Sequence, residues 1–197
     1  MRSGISCETR EFVMKLAIDF LKSDSPCPRF AFSSIIVQHD GPSIDKLKII
    51  CYGINNVSEF GITGHGEIEA LRNCSKMIKE QFGASYVLNQ TFWSTLSLYT
   101  TAEPCSMCSS AIRWAGLKEI IFGTSIVDLN DFGWPQLSLF SSNVQAASSN
   151  CNFVNTKGQT RIISGVLKSE TDSLLSWQYR SNSECPKDCS RINATCT

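Results

Sequence analysis

Two short stretches far apart in the chain constrain its fold most: His65-Gly66-Glu67 and Cys105-Ser106-Met107-Cys108. Imidazole and thiolate are donors that a tetrahedral zinc ion prefers. If His65, Cys105 and Cys108 share one ion, two separate helix starts must meet at one place. Cys105 and Cys108 are three apart at a helix start, so they share one face. Pro104, just before them, fits that start. The positive end of the helix favours thiolates and lowers their pKa. His65 and Glu67 open another helix. Two residues apart, they can face one pocket without both binding metal. Three protein ligands leave a fourth position open for water, whereas a fourth cysteine would close the site and make it structural.

The pattern around these stretches predicts alternating helices and strands. Phe12, Leu16 and Phe20, with Val13, Ala17 and Leu21, recur at helical spacing and predict a helix over 8–22. The prolines in Ser23 to Arg29 break it. Phe30 to Gln38 and Lys48 to Gly53 read as strands joined through a turn at His39-Asp40-Gly41-Pro42, which makes a hairpin. Asn55 to Gly64 reads as a loop, Glu67 to Phe82 as a helix and Thr95 to Thr100 as a strand. Cys105 to Gly116 reads as a helix that the glycine ends, and Lys118 to Phe122 as a short strand. Beyond these come a helix over Ser125 to Asp131, a polar loop over 141–160, a strand over Arg161 to Leu167 and a helix over Glu170 to Tyr179. This order predicts a layered α/β domain over 1–180, with helices on a mixed sheet, followed by a tail over 181–197.

Composition narrows the partners. Lysine plus arginine equals aspartate plus glutamate, 18 each in 197 residues, so no net charge marks a nucleic-acid or anionic-membrane partner. Hydrophobic residues make up 42%, which suits a packed core. No apolar run is long enough to span a bilayer, so no membrane partner is expected. The chain has ten cysteines, of which Cys185, Cys189 and Cys196 crowd the end. Asparagine sequons occur at Asn56, Asn73, Asn89 and Asn193. Together they point to an oxidising compartment and hence to secretion. Phe12 to Leu21, interrupted by Lys15 and Asp19, is not the apolar core of a secretory leader. The alternatives are a mature secreted chain whose leader was left out, or a cytoplasmic one.

The chemistry follows from the constellation. Zinc in an open three-ligand site supplies an activated water near neutral pH. Glu67 is then the group placed to take protons from that water and give them to a substrate. A Cys-x-x-Cys alone is equally a redox motif or half a zinc ribbon. Here both halves occur in order, each at a predicted helix start, and Glu103-Pro104 precedes the cysteines. His39, the other histidine, is expected to be a solvated turn residue. The Gly61-x-x-Gly64-x-Gly66 spacing is wrong for a phosphate loop, and these glycines are expected to permit a tight approach to the metal.

At these motifs the sequence resembles the cytidine and deoxycytidylate deaminase superfamily, over roughly residues 8 to 180. Glu103-Pro104-Cys105-x-Met107-Cys108 looks like the guanine deaminase and tRNA adenosine deaminase branch. Ala111-Ile112-Arg113-Trp114-Ala115 is similar to a helix whose tryptophan lines the substrate pocket, against the alternative of a core aromatic. Gly53-Ile54-Asn55-Asn56-Val57 matches a segment whose asparagine binds the base. The resemblance thus implies substrate contacts at Asn55 (with Asn56 as fallback), Gly66, Glu103 and Trp114. An acidic residue from a later loop is implied too, with Asp128 and Asp131 in that region. Phe122-Gly123-Thr124-Ser125, Gly133-Trp134-Pro135-Gln136, Gly165-Val166-Leu167, Trp177-Gln178 and the tail Cys185-Pro186-Lys187-Asp188-Cys189 resemble a fungal-type group that is often secreted. The fold so implied is a three-layer α-β-α sandwich on a mixed sheet of about five strands, and the assembly a homodimer.

The expected activity is zinc-dependent hydrolytic removal of an exocyclic amine from a small nucleobase or nucleoside, a purine such as guanine favoured. One alternative is a deaminase of tRNA or single-stranded DNA, which the zero net charge disfavours. Another is an inert zinc-binding module, which the intact Glu67 argues against.

Overall fold

The helix expected over 8–22 runs over Cys7–Asp24 (α1), with the Ser6 side chain accepting from the Thr9 amide at its start. Its buried face is Val13, Met14, Ala17, Ile18 and Leu21. Each large apolar side chain removed from water there contributes about 1.5–3 kcal/mol before entropy is charged. The computed structural model describes residues 4–147, 160–187, 189–193 and 195–197. After α1 come Ser33–His39 (β1) and Leu47–Ile54 (β2), an antiparallel hairpin with an irregularity between Ile36 and Val37. The expected loop at 55–64 contains a helical turn at Val57–Phe60 (α2) and a 3-10 turn at Gly61–Thr63. Gly66–Phe82 (α3) follows, then two short helices, Ala84–Val87 (α4) and Gln90–Trp93 (α5).

Leu96–Ala102 (β3), Ser106–Ala115 (α6) and Glu119–Thr124 (β4) form the centre of the chain. Gly116 ends α6 with φ 80°, the left-handed conformation expected of a helix-stopping glycine. Ile126–Phe132 (α7) opens with a capping box between Ser125 and Asp128. Ser141–Ala147 (α8), Arg161–Ile163 (β5) and Lys168–Leu175 (α9) follow, then a small hairpin of Arg191–Ile192 (β6) and Thr195–Cys196 (β7).

The sheet has five strands in the order β2-β1-β3-β4-β5. β1 pairs antiparallel with β2 and β3, while β3–β4 and β4–β5 are parallel. This is the mixed three-layer α/β architecture the motif order implied. Alternation along the strands separates two cores. Ile35, Val37, Tyr99 and Ile121 face α1 and α9. Ile36, Leu98, Ile120 and Phe122 face the opposite way, onto Ala70, Cys74 and Ile78 of α3 and Ile112 of α6.

Four sequence expectations change. Residues 141–147 are helical, not loop; residues 148–159 of that expected loop lie outside the described residues. The strand at 161–167 stops at Ile163, because Gly165 and Leu167 both have positive φ, which no strand accommodates. The following helix accordingly starts earlier and ends at Leu175. His39 is the half-buried last residue of β1, and its Nε2 shares a 3.0 Å hydrogen bond with the Tyr99 hydroxyl, so it is not a solvated turn residue.

Three disulfides, Cys27–Cys189, Cys51–Cys74 and Cys185–Cys196, join the described chain. Cys51–Cys74 fastens β2 to α3 within the core, where both residues are buried. The other two tie down residues 185–196, so the tail is anchored although it adds no strand to the main sheet.

The register places the site. Ser33 opposes Ile54, Ser34 opposes Thr100, and Ala102 opposes Thr124. The residues just outside these ends, Phe32, Asn55, Glu103 and Ser125, therefore gather at one end of the sheet, at the carboxyl ends of β3 and β4. At the other end Glu119, 1% exposed, accepts from Arg10 at 3.3 Å, Arg161 at 2.9 Å and Ser97 at 3.2 Å. Among the described residues no helix is long and apolar enough to cross a membrane.

Candidate metal centre and pocket

His65 is the N-cap of α3 and Cys105 the N-cap of α6, with Cys108 in the first turn. The two helix starts face each other, so His65 Nδ1 lies 3.6 Å from Sγ of both Cys105 and Cys108. The three ligand atoms all lie within 4.8 Å of one another. A tetrahedral zinc ion with ordinary Zn–N and Zn–S bonds would hold nitrogen and sulfur about 3.6 Å apart. The donor set and its spacing thus fit zinc.

With no metal bound, the four groups shift in different directions. Hydrogen bonding from the Cys108 thiol, helped by His65, pulls the Cys105 thiol down to about 4 despite its burial. The same hydrogen bond and burial push Cys108 up, so the two sulfurs share one proton with the charge on Cys105. The hydrogen bond to Cys105 raises His65. Burial, then the Cys105 charge, pushes the Glu67 carboxyl up to about 7. Glu67 is 6% exposed.

His65, Glu67 and Cys105 line a cavity of about 170 Å³ together with Phe30, Phe32, Asn55, Val57, Glu103, Leu129, Trp134 and Gln136. That volume is below the 300–1,000 Å³ of drug-sized sites and close to the roughly 150 Å³ cavity that holds one benzene. It suits a small flat ring.

Asn55 lines the cavity, and its backbone N–H donates to the Phe32 carbonyl at 2.8 Å. Asn56 instead spends its side chain on Glu59 and Ser58. Gly66 works by its size: a Cβ there would lie 2.8 Å from the Phe32 carbonyl oxygen, so only glycine lets α3 start this close to the β1 entry. Glu103 borders the cavity, but both its oxygens are occupied. One accepts from the Ile126 amide at 3.0 Å and the other from the Ser141 amide at 2.9 Å, at the starts of α7 and α8. Its carboxylate positions those two helices and has no oxygen left unbonded.

Trp114 is not brought to the cavity. Its ring is 63% exposed and borders a separate groove with Leu71, Val87 and Leu88. The inward face of α6 is Cys108, Ser109, Ile112 and Arg113, and at 100° per residue Trp114 falls on its outer flank. Asp128 is committed to Ser125 and to Lys168 at 3.0 Å, Asp131 is exposed, and neither lines the cavity. Phe30, Phe32, Leu129, Trp134 and Gln136 are lining residues for which no site role was read from the sequence. Trp134 stood out there only inside the Gly133-Trp134-Pro135-Gln136 stretch.

Residues 7–124 match the cytidine and deoxycytidylate deaminase zinc-binding region. The chain belongs to this family. The tRNA-specific adenosine deaminase of Haemophilus influenzae is 30% identical over 61% of this chain and 61% of its own length. The guanine deaminase of Bacillus subtilis is 33% identical over 52% of this chain and 56% of its own. The chain thus spans less than two thirds of either relative. Among solved structures, a guanine deaminase from Nitrosomonas europaea has a TM-score of 0.58 at 18% identity, covering 84% of this chain and 81% of its own. A protein in complex with 8-azaguanine has a TM-score of 0.62 at 19% identity, covering 88% of this chain and 86% of its own. At those identities the likeness establishes the fold.

Proposed function

We propose that this protein is a zinc-dependent hydrolytic deaminase that removes an exocyclic amine from a free nucleobase or nucleoside and releases ammonia, with purines such as guanine favoured. The observation that carries this is the meeting of His65, Cys105 and Cys108 with the buried carboxyl of Glu67 in one small cavity. Bound by those three residues, zinc supplies Lewis-acid activation of a water.

Glu67 does the proton work. Burial raises its carboxyl above the usual carboxylate range, which suits a group that accepts and donates a proton in turn. It takes a proton from the attacking water and gives it to the ring nitrogen beside the amine-bearing carbon. The water oxygen bonds to that carbon. Glu67 then takes the proton of the newly bonded hydroxyl and passes it to the amine, the carbon–oxygen bond becomes a carbonyl as the carbon–nitrogen bond breaks, and ammonia departs. Phe30, Phe32 and Trp134 offer aromatic surfaces for a flat ring, and Asn55 a hydrogen bond for its edge. The guanine deaminase relative supports a purine base.

A second reading, deamination of a base within tRNA, is favoured by the Haemophilus relative. The balance of 18 cationic and 18 anionic residues gives it no electrostatic support. The homodimer remains part of the proposal, supported by the exposed Trp114 and Leu88 in one apolar groove. So does an extracellular setting, supported by the three disulfides.

The test is ammonia release by purified, zinc-loaded protein from guanine, adenine, cytosine, their nucleosides, pterins and short oligonucleotides. Release from a free purine supports the reading. Activity confined to oligonucleotides, weakening steeply with salt, would replace it with the second.

A further inference from the structure

We propose that the Cys27–Cys189 disulfide positions the pocket: it fastens the C-terminal segment to the loop carrying Phe30 and Phe32, and so ties two aromatic walls together. The substrate consequence rests on the deaminase reading above; the mechanical one does not.

One wall is the loop between α1 and β1. Cys27 lies three residues before Phe30, and both phenylalanines line the cavity. Phe30 is 44% exposed, so burial alone holds it weakly. The other wall is Trp134, whose ring meets Phe32 edge-on at 5.0 Å. Trp134 is held from the C-terminal side. Its Nε1 donates to the Leu175 carbonyl at 2.8 Å, and Tyr179 packs edge-on against it at 4.9 Å. Gly133, with φ 98°, leaves room for that tyrosine, because a Cβ there would lie 2.7 Å from Tyr179 Cβ. The segment that grips Trp134 then runs on to Cys189, which is bonded to Cys27 across 162 residues of sequence. Cutting this bond removes the tether three residues before Phe30, leaving the Ala31 carbonyl its bond from the Thr101 hydroxyl at 2.9 Å and the metal ligands untouched.

In this bond neither cysteine is buried: Cys27 and Cys189 are both half-buried, whereas half-buried Cys185 is bonded to Cys196, 2% exposed, and Cys51 and Cys74 are 5% and 0% exposed. A small dithiol would reduce it first. The sulfur–sulfur bond breaks, each sulfur gains one electron and one proton, and the dithiol closes to its own disulfide. Substrate capture is then sensitive to the redox state outside the metal centre.

The experiment pairs Cys27→Ser/Cys189→Ser with Cys185→Ser/Cys196→Ser as control, and adds graded dithiol treatment of the folded wild type. Zinc content and hydrogen exchange are measured throughout, with KM and kcat on guanine. If the free loop holds its productive conformation about one tenth of the time, KM rises about tenfold. The account expects that rise, kcat within about twofold, zinc retained, faster exchange over residues 25–32, and no change in the control. Dithiol-treated wild type should match the double variant, which covers the case in which the variant misfolds. Unchanged exchange over residues 25–32 overturns the proposal, as does an unchanged KM in an active enzyme. A wild type that deaminates nothing overturns the functional reading, while the exchange data still decide the mechanical one.

Discussion

His65 Nδ1 lies 3.6 Å from Cys108 Sγ, across 43 residues of sequence. That contact exists because α3 and α6 begin at the same end of the sheet, beside the ends of β2 and β3. Each helix start contributes positive partial charge toward the donors. The thiolate is favoured at Cys105, the N-cap of α6, where the three ligands converge.

Removing one donor should therefore remove the metal. Cys108→Ser is expected to leave the protein with well under one zinc per chain and with ammonia release at background, as measured by metal analysis and assay. Chelator treatment of the wild type should do the same, reversibly on adding zinc. Because the ligands bind metal deprotonated, zinc retention should fall as pH is lowered. Full zinc occupancy in Cys108→Ser would show that the metal is held elsewhere.

Arg10 and Glu119 form a buried pair far from the pocket. Arg10→Met leaves a carboxylate that is 1% exposed and still bonded to Arg161 and Ser97. Breaking such a pair is expected to cost about 3 kcal/mol, or a melting temperature lower by about 6–12 °C. Thermal unfolding followed by circular dichroism measures it, and zinc content should not change. A shift under 2 °C, on the order of half a kcal/mol, would mean that Arg161 alone suffices.

Gly66→Ala pushes a methyl against the Phe32 carbonyl. Either α3 or the β1 entry must move, and both carry pocket residues. A displacement of about 1 Å at reacting groups can cost about 100-fold in rate. The expected result is a folded protein whose kcat/KM has dropped by that order. Wild-type kinetics in this variant would show that the contact relaxes without touching the site.

Trp114→Ala tests the placement of that ring outside the cavity. With 63% of it exposed, truncation should leave KM and kcat on the best substrate within about twofold of wild type. A large rise in KM would return Trp114 to the substrate site, reached through a neighbouring copy of the chain.

The candidate metal centre was legible as a cluster because its chemistry is local: a donor, a glutamate and a cysteine pair at helix starts show in residue type and spacing. The long helices Cys7–Asp24 and Gly66–Phe82 were legible through the apolar period of 3.6. Glu103 borders the cavity, but its bonds to the Ile126 and Ser141 amides were not legible, because those partners come from distant segments and nothing in Glu103-Pro104 announces two amide donors. Trp114 was misplaced by resemblance, although counting from Cys108 around α6 puts it on the outer flank. Phe30 and Trp134 carry no chemical signature, and only the strand register brings them together. His39 looked like a turn residue because the hairpin ends one residue later than its hydrophobic pattern.

The central claim is that Glu67 moves the protons while three other residues hold the metal. Glu67→Gln keeps the size of the side chain and removes its titration. The measurement is ammonia release and zinc content on the same Glu67→Gln preparation, with a free purine as substrate. The account predicts one zinc per chain and a kcat reduced by at least about 1,000-fold, toward the upper range for a lost acid–base group. Wild-type ammonia release from zinc-loaded Glu67→Gln would contradict it.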